Sequence, residues 1–193
     1  MRRILLVVAT MAAAVLLASG VALATGPIKI NDATLDPTTQ EVIPGTATPY
    51  PSEITVSGLG STISDVDLQL KGFSHTYPDD VEMLLVGPAG QNAIVMADVG
   101  GSIPARNITL DLDDEAAIAL PNEGPLTSGR FRFESPPPIA SFPSPAPVPS
   151  GETALSAFDF TNPNGTCQLY IADDSPADKG RLRGWALEIM ATS

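Results

Sequence analysis

The 193-residue sequence contains one cysteine, Cys167, and one histidine, His75. A single cysteine cannot form an internal disulfide, and no spacing of cysteine and histidine typical of a zinc site is present. A Ser-His-Asp triad would have to be built on His75, and no Gly-x-Ser-x-Gly segment accompanies it. The sequence also lacks a glycine-rich loop that could cradle a phosphate. These absences argue against a serine hydrolase, a zinc enzyme and an enzyme with a glycine-rich phosphate-binding loop.

Basic and aromatic residues are also scarce. Only 10 lysines and arginines accompany 22 acidic residues, which gives a formal net charge of -12, and aromatic residues make up 5% of the chain. Such a surface repels nucleic acid and anionic lipid, whereas it favours solubility and cations. Most of the carboxylates are expected to be solvated surface charges.

The N-terminal residues have the pattern of a secretory signal peptide, and no other apolar run is long enough to span a membrane. Two arginines precede an apolar run over residues 4–17, and an A-x-A cleavage pattern follows at residues 22–24. We therefore predict a signal peptide over residues 1–24, bacterial export and a secreted, extracellular mature chain. The alternative is an uncleaved membrane anchor over residues 4–24. No cysteine follows the run, which excludes a lipoprotein anchor.

Cleavage after Ala24 changes the charge and the length of the chain. Removal of Arg2 and Arg3 leaves 8 basic residues against 22 acidic ones, so the net charge falls from -12 to -14. The remaining residues, about 169, are enough for one domain that buries roughly 70% of its unfolded surface. No membrane contact is expected after cleavage.

Short alternating segments indicate β-strands. Residues 53–57, 65–70 and 107–112 alternate apolar and polar side chains, whereas residues 81–86 are more uniformly apolar, as in a strand covered on both faces. A Gly-Pro-x-Gly turn follows, and residues 93–97 are predicted to form the returning strand. The last strands are predicted around a set of apolar residues, namely Phe158, Leu169, Ile171, Trp185, Leu187 and Ile189.

The strand pattern predicts an all-β sandwich of one domain, because no apolar stripe with a helical period accompanies it. Residues 25–51 are polar and rich in turns and are predicted to form an N-terminal leader, while residues 52–193 form the sandwich. Residues 135–150 contain seven prolines and are predicted to form an extended loop, because proline cannot donate to a β-ladder. The alternative, a linker between two domains, is disfavoured because neither side could close a core alone.

Spaced motifs resemble the P domain, also called the Homo B domain, which follows the catalytic domain of proprotein convertases and many bacterial subtilisin-like serine proteases. The motifs are SHTYPDDVEMLLVGPAG at residues 74–90, NPNGTCQLYIADD at 162–174 and GWALEI at 184–189. The resemblance covers roughly residues 52–190. It implies a jelly-roll β-sandwich of the galactose-binding-like kind and a non-catalytic module, since the protease part is absent.

The resemblance also implies roles for single residues. His75 lies in the turn motif, where structural hydrogen bonding is expected rather than catalysis. Trp185 is expected to be a core aromatic rather than a platform for sugars. Cys167 stands where the family usually has tryptophan, and by alternation it faces inward with Leu169 and Ile171. A buried, unreactive thiol is therefore predicted.

Acidic residues at strand ends are the candidate metal ligands. Neighbouring carboxylates point to opposite faces along a strand, but in a turn they can converge on one point. Calcium takes about six to eight oxygen ligands at flexible angles, and the resemblance points the same way because related jelly-roll domains often carry calcium. No Asp-x-Asp-x-Asp-Gly loop is present. We predict a structural calcium site, and the candidate ligands are Asp79, Asp80, Asp98, Asp173, Asp174 and Asp178.

The predicted function is that of a secreted, non-catalytic P-domain-like module of the type associated with serine-type endopeptidases. It would act as an accessory, stabilising or protein-binding unit whose partner is a protein or a protease. The alternative is an extracellular carbohydrate-binding or adhesive module, because jelly rolls also bind sugars at their loop ends. Tyr50 and Tyr77 are the aromatic candidates for that alternative. The sequence indicates neither the identity of the partner nor an oligomeric state.

Overall fold

The structure is a computed structural model that describes residues 17–134 and 142–193. In these residues it contains twelve strands, no α-helix, and two 3₁₀ helices, Pro78–Asp80 and Leu155–Phe158. The strands are β1 (Leu17–Ile30), β2 (Thr34–Leu35), β3 (Val42–Ile43), β4 (Gly45–Thr46), β5 (Ser52–Val56), β6 (Thr62–His75), β7 (Val81–Val86), β8 (Asn92–Met96), β9 (Ala105–Leu112), β10 (Gly129–Phe131), β11 (Gly165–Asp173) and β12 (Gly180–Thr192).

Two five-stranded sheets form the sandwich. The first has the order β1-β12-β6-β9-β10 and is antiparallel except for the parallel pair β9 and β10. In the second sheet, β11 pairs with β7 on one side and with β4 and β5 on the other, and β8 pairs with β7. Strands β2 and β3 form a separate hairpin. The predicted all-β sandwich is therefore confirmed.

Burial follows the alternation of the sequence. In β5, Ile54 and Val56 are buried while Glu53 and Thr55 are exposed. All six residues of β7 are buried, as predicted for a strand covered on both faces. Each large apolar side chain that is fully removed from water stabilises the fold by roughly 1.5 to 3 kcal/mol. The largest fully buried side chains include Trp185, Phe73, Leu68, Leu70, Met83 and Leu110.

One strand prediction is wrong, since Phe158 ends the 3₁₀ helix Leu155–Phe158. The carboxylate of Asp114 accepts hydrogen bonds from the backbone N–H groups of Leu155 and Ser156 at 3.0 and 2.8 Å. These bonds satisfy the first amides of the helix, which have no partner within it. Phe158 is still buried, so its apolar side chain indicated the core rather than a strand.

The segment predicted as a leader, residues 25–51, takes part in the sheets. It supplies the end of β1 and the whole of β4, and it buries Ile28, Ile30, Ala33 and Ala47. The expected polar character therefore applies to its turns and not to the segment as a whole.

The predicted cleavage point after Ala24 lies within β1. Residues 1–16 of the predicted signal peptide and residues 135–141 of the predicted proline-rich loop lie outside the described residues. Among the residues that are described, no helix is long and apolar enough to cross a membrane.

Candidate functional site

His75 and Asp173 form a buried pair that joins the two sheets. His75 ends β6 in the first sheet, and Asp173 ends β11 in the second. The Nε2 atom of His75 lies 3.1 Å from Oδ2 of Asp173, and both side chains are 0% exposed. The Nδ1 atom of His75 lies 2.8 Å from the carbonyl oxygen of Tyr77, and Oδ1 of Asp173 accepts from the backbone N–H of Ser175 at 3.2 Å. Every polar atom of the pair therefore has a partner.

Gly180 makes room for the imidazole ring. It faces His75 across the β6–β12 pair, and a Cβ atom at Gly180 would lie only 2.1 Å from Cδ2 of His75. The ring of Phe73 stacks parallel to the imidazole, with ring centroids 6.4 Å apart and an angle of 5° between the planes. The imidazole is buried, and both of its nitrogens have partners within the protein. These surroundings suit a residue that stabilises the fold rather than a general base.

The other five candidate ligands lie on loops near this pair. Asp79 and Asp80 belong to the 3₁₀ helix before β7, and Asp98 lies in the loop after β8. Asp174 directly follows β11, and its backbone N–H donates to the carbonyl oxygen of Asp80 at 3.0 Å. Asp178 lies in the loop before β12. The chain thus brings acidic residues from three loops to the same end of the sandwich.

The carboxylates at this end repel one another. Burial, followed by the charges of three neighbouring carboxylates, raises the pKa of Asp80 to about 7. Burial is also the main cause of the raised pKa values of Asp98 and Asp174, and a neighbouring carboxylate is the second cause in each case. The folded chain therefore holds negative charges together at this end at an electrostatic penalty.

Two of the six candidates are engaged within the protein. Asp173 is buried against His75, and Oδ1 of Asp178 accepts a hydrogen bond from the hydroxyl of Thr76 at 2.6 Å. Within residues 17–134 and 142–193, no group of three or more His, Cys, Asp or Glu side chains is placed so that it could hold a metal ion. A cation at this end would have to draw the loop carboxylates together.

Cys167 and Trp185 both lie in the core, as predicted. Cys167 is buried, and burial raises the pKa of its thiol to about 11, so the thiol stays protonated at neutral pH. The Nε1–H group of Trp185 donates to Oγ of Ser52 at 2.9 Å, which ties β12 to β5 across the sandwich. A buried indole cannot stack on a sugar, so the carbohydrate alternative is left with Tyr50 and Tyr77.

Those two tyrosines have different surroundings. The hydroxyl of Tyr50 donates to the carbonyl oxygen of Pro143 at 2.9 Å, and its ring packs edge-to-face on Tyr170 with centroids 5.0 Å apart. Tyr77 is 37% exposed. Tyr50 is partly buried, so Tyr77 offers the larger aromatic surface to solvent, and one ring provides a small contact area for a sugar.

Comparison with known proteins leaves the family open. No profile of a known protein family matches the chain, and no curated protein matches it. One similar solved structure is described as the crystal structure of Aeromonas sobria serine protease (ASP) and the chaperone (ORF2) complex. The identity is 12% and the TM-score is 0.38, and the match covers 90% of this chain but 27% of that chain. At this level of similarity the comparison does not assign the chain to a family.

Proposed function

We propose that the chain is an exported, non-catalytic β-sandwich module that binds an extended segment of a protein partner along the free edge of β12. The motifs that resemble the P domain support an accessory role of this kind. The observation that carries the proposal is the position of the predicted cleavage point within β1, since cleavage removes the strand that covers this edge.

Residues 17–24 pair with residues 185–192 of β12 in an antiparallel register that runs from Leu17 opposite Thr192 to Ala24 opposite Trp185. Among the described residues, β1 is the edge strand of its sheet and no strand pairs with its outer side. Cleavage after Ala24 therefore leaves an eight-residue stretch of β12 without its neighbour, and the backbone N–H and C=O groups on that side, which belong to alternate residues because β6 pairs with the other side, become free. Such an edge is a template for the addition of another strand.

The surroundings of this edge restrict the size of the side chains that a bound strand can carry. Gly20, Ala22 and Ala24 face the interior of the sandwich, whereas Val21 and Leu23 are 63% and 55% exposed. A Cβ atom at Gly20 would lie 2.8 Å from Cδ2 of Leu59, so a larger residue there would have to displace that side chain. The favoured partner segment is extended and has small residues at alternate positions.

The proposal is tested with the exported chain, purified after its N-terminus has been identified by mass spectrometry. The probe is a synthetic peptide with the sequence of residues 17–24 and lysines at both ends for solubility. We expect it to bind, and we expect the peptide with Ala22→Pro to bind at least about tenfold more weakly, because proline removes a donor and disrupts the ladder. Fluorescence anisotropy of a labelled peptide measures both affinities.

Two further peptides test whether binding depends on the side chains that face the interior of the sandwich or on nonspecific hydrophobic attachment. Gly20→Val should weaken binding because it crowds Leu59, whereas Val21→Thr should have little effect because that side chain points to solvent. The proposal is wrong if none of the peptides binds, or if the exported chain still begins upstream of residue 17. Self-association of the exported chain through the same edge would also contradict a partner strand, and sedimentation velocity detects it.

We also propose, separately, that calcium binds at the acidic end of the sandwich. A cation that replaces the proton on Asp80 would relieve the repulsion that raises its pKa to about 7. Without the cation, a raised folded-state pKa means that stability is lost as the pH rises from about 4 towards 7. Calcium should therefore stabilise the protein more at pH 8 than at pH 5.

The expected result is a higher Tm in calcium than in chelator. Calcium at about a hundredfold excess over its Kd would add roughly 2.7 kcal/mol, which corresponds to roughly 5 to 10 °C for a chain of this size. Thermal unfolding followed by circular dichroism measures the shift, and Glu188→Gln on β12 is the control for the loss of one negative charge. If Asp79→Asn and Asp174→Asn both leave calcium binding unchanged, the assignment of these ligands is wrong.

A further inference from the structure

A cavity at one end of the first sheet, where β6 ends and β12 starts, is lined by several basic residues of a chain that has few. The cavity has a volume of about 370 Å³, within the range of small-molecule sites. Four of the 8 basic residues that follow the predicted cleavage point line it. They come from four segments, namely Lys29 on β1, Arg106 on β9, Lys179 in the loop before β12, and Arg181 on β12.

Strand pairing places like charges side by side here. Lys29 and Arg181 are directly opposite each other on β1 and β12, and both are exposed. Adjacent strands lie about 5 Å apart, and like charges in this position destabilise a sheet. In the described part of the chain, none of the four basic side chains forms a salt bridge or a hydrogen bond with another residue. Within the described residues, therefore, no direct contact with a carboxylate neutralises this positive charge.

A β-bulge places one further polar residue, Asn107, beside Arg106 at the cavity. On β9, Arg106 and Asn107 lie opposite the single residue Ser74 of β6, because the flanking pairs are Phe73 with Ile108 and His75 with Ala105. Asn107 has a φ of 55°, and its backbone N–H donates to Oγ of Ser74 at 2.8 Å. Bulges re-aim side chains in this way next to binding sites.

We infer that this cavity binds a small ligand that carries at least two oxyanion groups, as a polycarboxylate or a diphosphate does. The two arginines present planar donor groups that match a carboxylate or a phosphate, and the two lysines add positive charge. A ligand with one anionic group could neutralise only part of a row of cations that extends from β1 to β9. The surface elsewhere is acidic, with a sequence pI of about 4.2, so an anion is attracted to this place and repelled from most others.

The cavity also offers contacts for the uncharged part of such a ligand. Pro104 and Ala105 contribute apolar lining, while Asn107 and Ser74 contribute neutral polar groups. The nearest carboxylate in sequence, that of Asp178, already accepts the hydroxyl hydrogen of Thr76. The site is independent of the strand-binding edge, because its lining residues lie after the cleavage point and outside residues 185–192.

The test uses the exported chain with pyrophosphate and citrate as probes, titrated calorimetrically at about 20 mM and about 150 mM NaCl. We expect at least one probe to bind, more weakly at the higher salt concentration. Replacement of both guanidinium groups, Arg106→Gln with Arg181→Gln, should weaken binding by at least about tenfold, because each makes charge-assisted hydrogen bonds. Circular dichroism confirms that the double variant is folded.

Arg183→Gln is the matched control, since Arg183 is exposed, lies two residues from Arg181 on β12 and does not line the cavity. It should change the affinity by less than about threefold, because it removes one positive charge from the protein but no group that lines the cavity. Binding of only pyrophosphate or only citrate would identify the oxyanion as phosphate or carboxylate. The inference is overturned if neither probe binds, or if Arg183→Gln weakens binding as much as the double variant does.

Lys29→Gln provides a readout that needs no ligand. Because it removes one of two like charges on adjacent strands, the variant should have a higher Tm than the parent in low salt, and the difference should shrink in high salt. A lower Tm in low salt would show that the Lys29 charge is compensated within the protein, and it would contradict the inference.

Discussion

Replacing Asp173 with alanine should lower the free energy of unfolding by about 3 to 5 kcal/mol. The substitution leaves Nε2 of His75 buried without a partner, and it removes the acceptor of the Ser175 N–H. A typical domain is stable by roughly 5 to 15 kcal/mol, so this loss is a large fraction of the total. Urea unfolding of the exported chain, followed by circular dichroism, measures the difference.

Asp174→Ala is the neighbouring control for this prediction. Asp174 is exposed and lies beside other carboxylates, so with a chelator present the loss of its charge should change stability by less than about 0.5 kcal/mol or increase it. The double variant His75→Leu with Asp173→Leu should lose less than the sum of the two single changes, because neither polar group is left unpaired. Equal losses for Asp173→Ala and Asp174→Ala would show that the buried pair does not stabilise the fold.

The strands of the sandwich were predictable because their signal is local. The alternation in residues 53–57 and 107–112, and the apolar character of all but one of residues 81–86, depend only on neighbouring residues. Phe158 shows the limit of that signal. Its apolar side chain is buried although it is not in a strand, and the carboxylate that accepts the first hydrogen bonds of the 3₁₀ helix, that of Asp114, lies more than forty residues away in the chain.

The sites were less predictable because they depend on register. The predicted hydrogen bond of His75 within its turn is present, to the carbonyl oxygen of Tyr77. Its second contact, with Asp173 across 98 positions of sequence, is not predictable from the turn motif, and it makes Asp173 a buried partner rather than a loop carboxylate. The basic cavity was missed for the same reason. Lys29 and Arg181 are far apart in the chain, and only the pairing of β1 with β12 places them side by side. The composition does give one indication of such a site. Because the chain is acidic and has few basic residues, any cluster of basic residues on its surface is unusual.

The buried pair borders one of the two proposed surfaces and lies apart from the other. His75 closes one end of β6 and borders the cation-lined cavity near the start of β12, whereas the proposed strand-binding edge is the second half of β12. Strand β12 thus connects a structural element with both candidate binding surfaces. A change in the core beneath β12 is therefore expected to affect stability and partner binding together.

Trp185→Ala should destabilise the protein by about 3 to 5 kcal/mol, because it removes the largest fully buried side chain and leaves a cavity between the sheets. Trp185→Phe keeps most of the apolar volume but removes the Nε1–H donor to Ser52, which is itself buried. The phenylalanine variant should lose about 1 to 3 kcal/mol, the penalty of one buried polar group without a partner. Ser52→Ala combined with Trp185→Phe should recover part of that loss.

Met190→Ala, on the same strand, is the control for these changes. Met190 is 39% exposed, so its truncation should alter stability by less than about 0.5 kcal/mol. Urea unfolding must be followed by far-ultraviolet circular dichroism, because the chain has only one tryptophan and the variants lose its fluorescence. If Trp185→Ala and Met190→Ala have equal effects, Trp185 does not hold the sheets together. If Trp185→Phe is as stable as the parent, the hydrogen bond to Ser52 adds nothing, and the stability that Trp185 provides comes from its apolar surface alone.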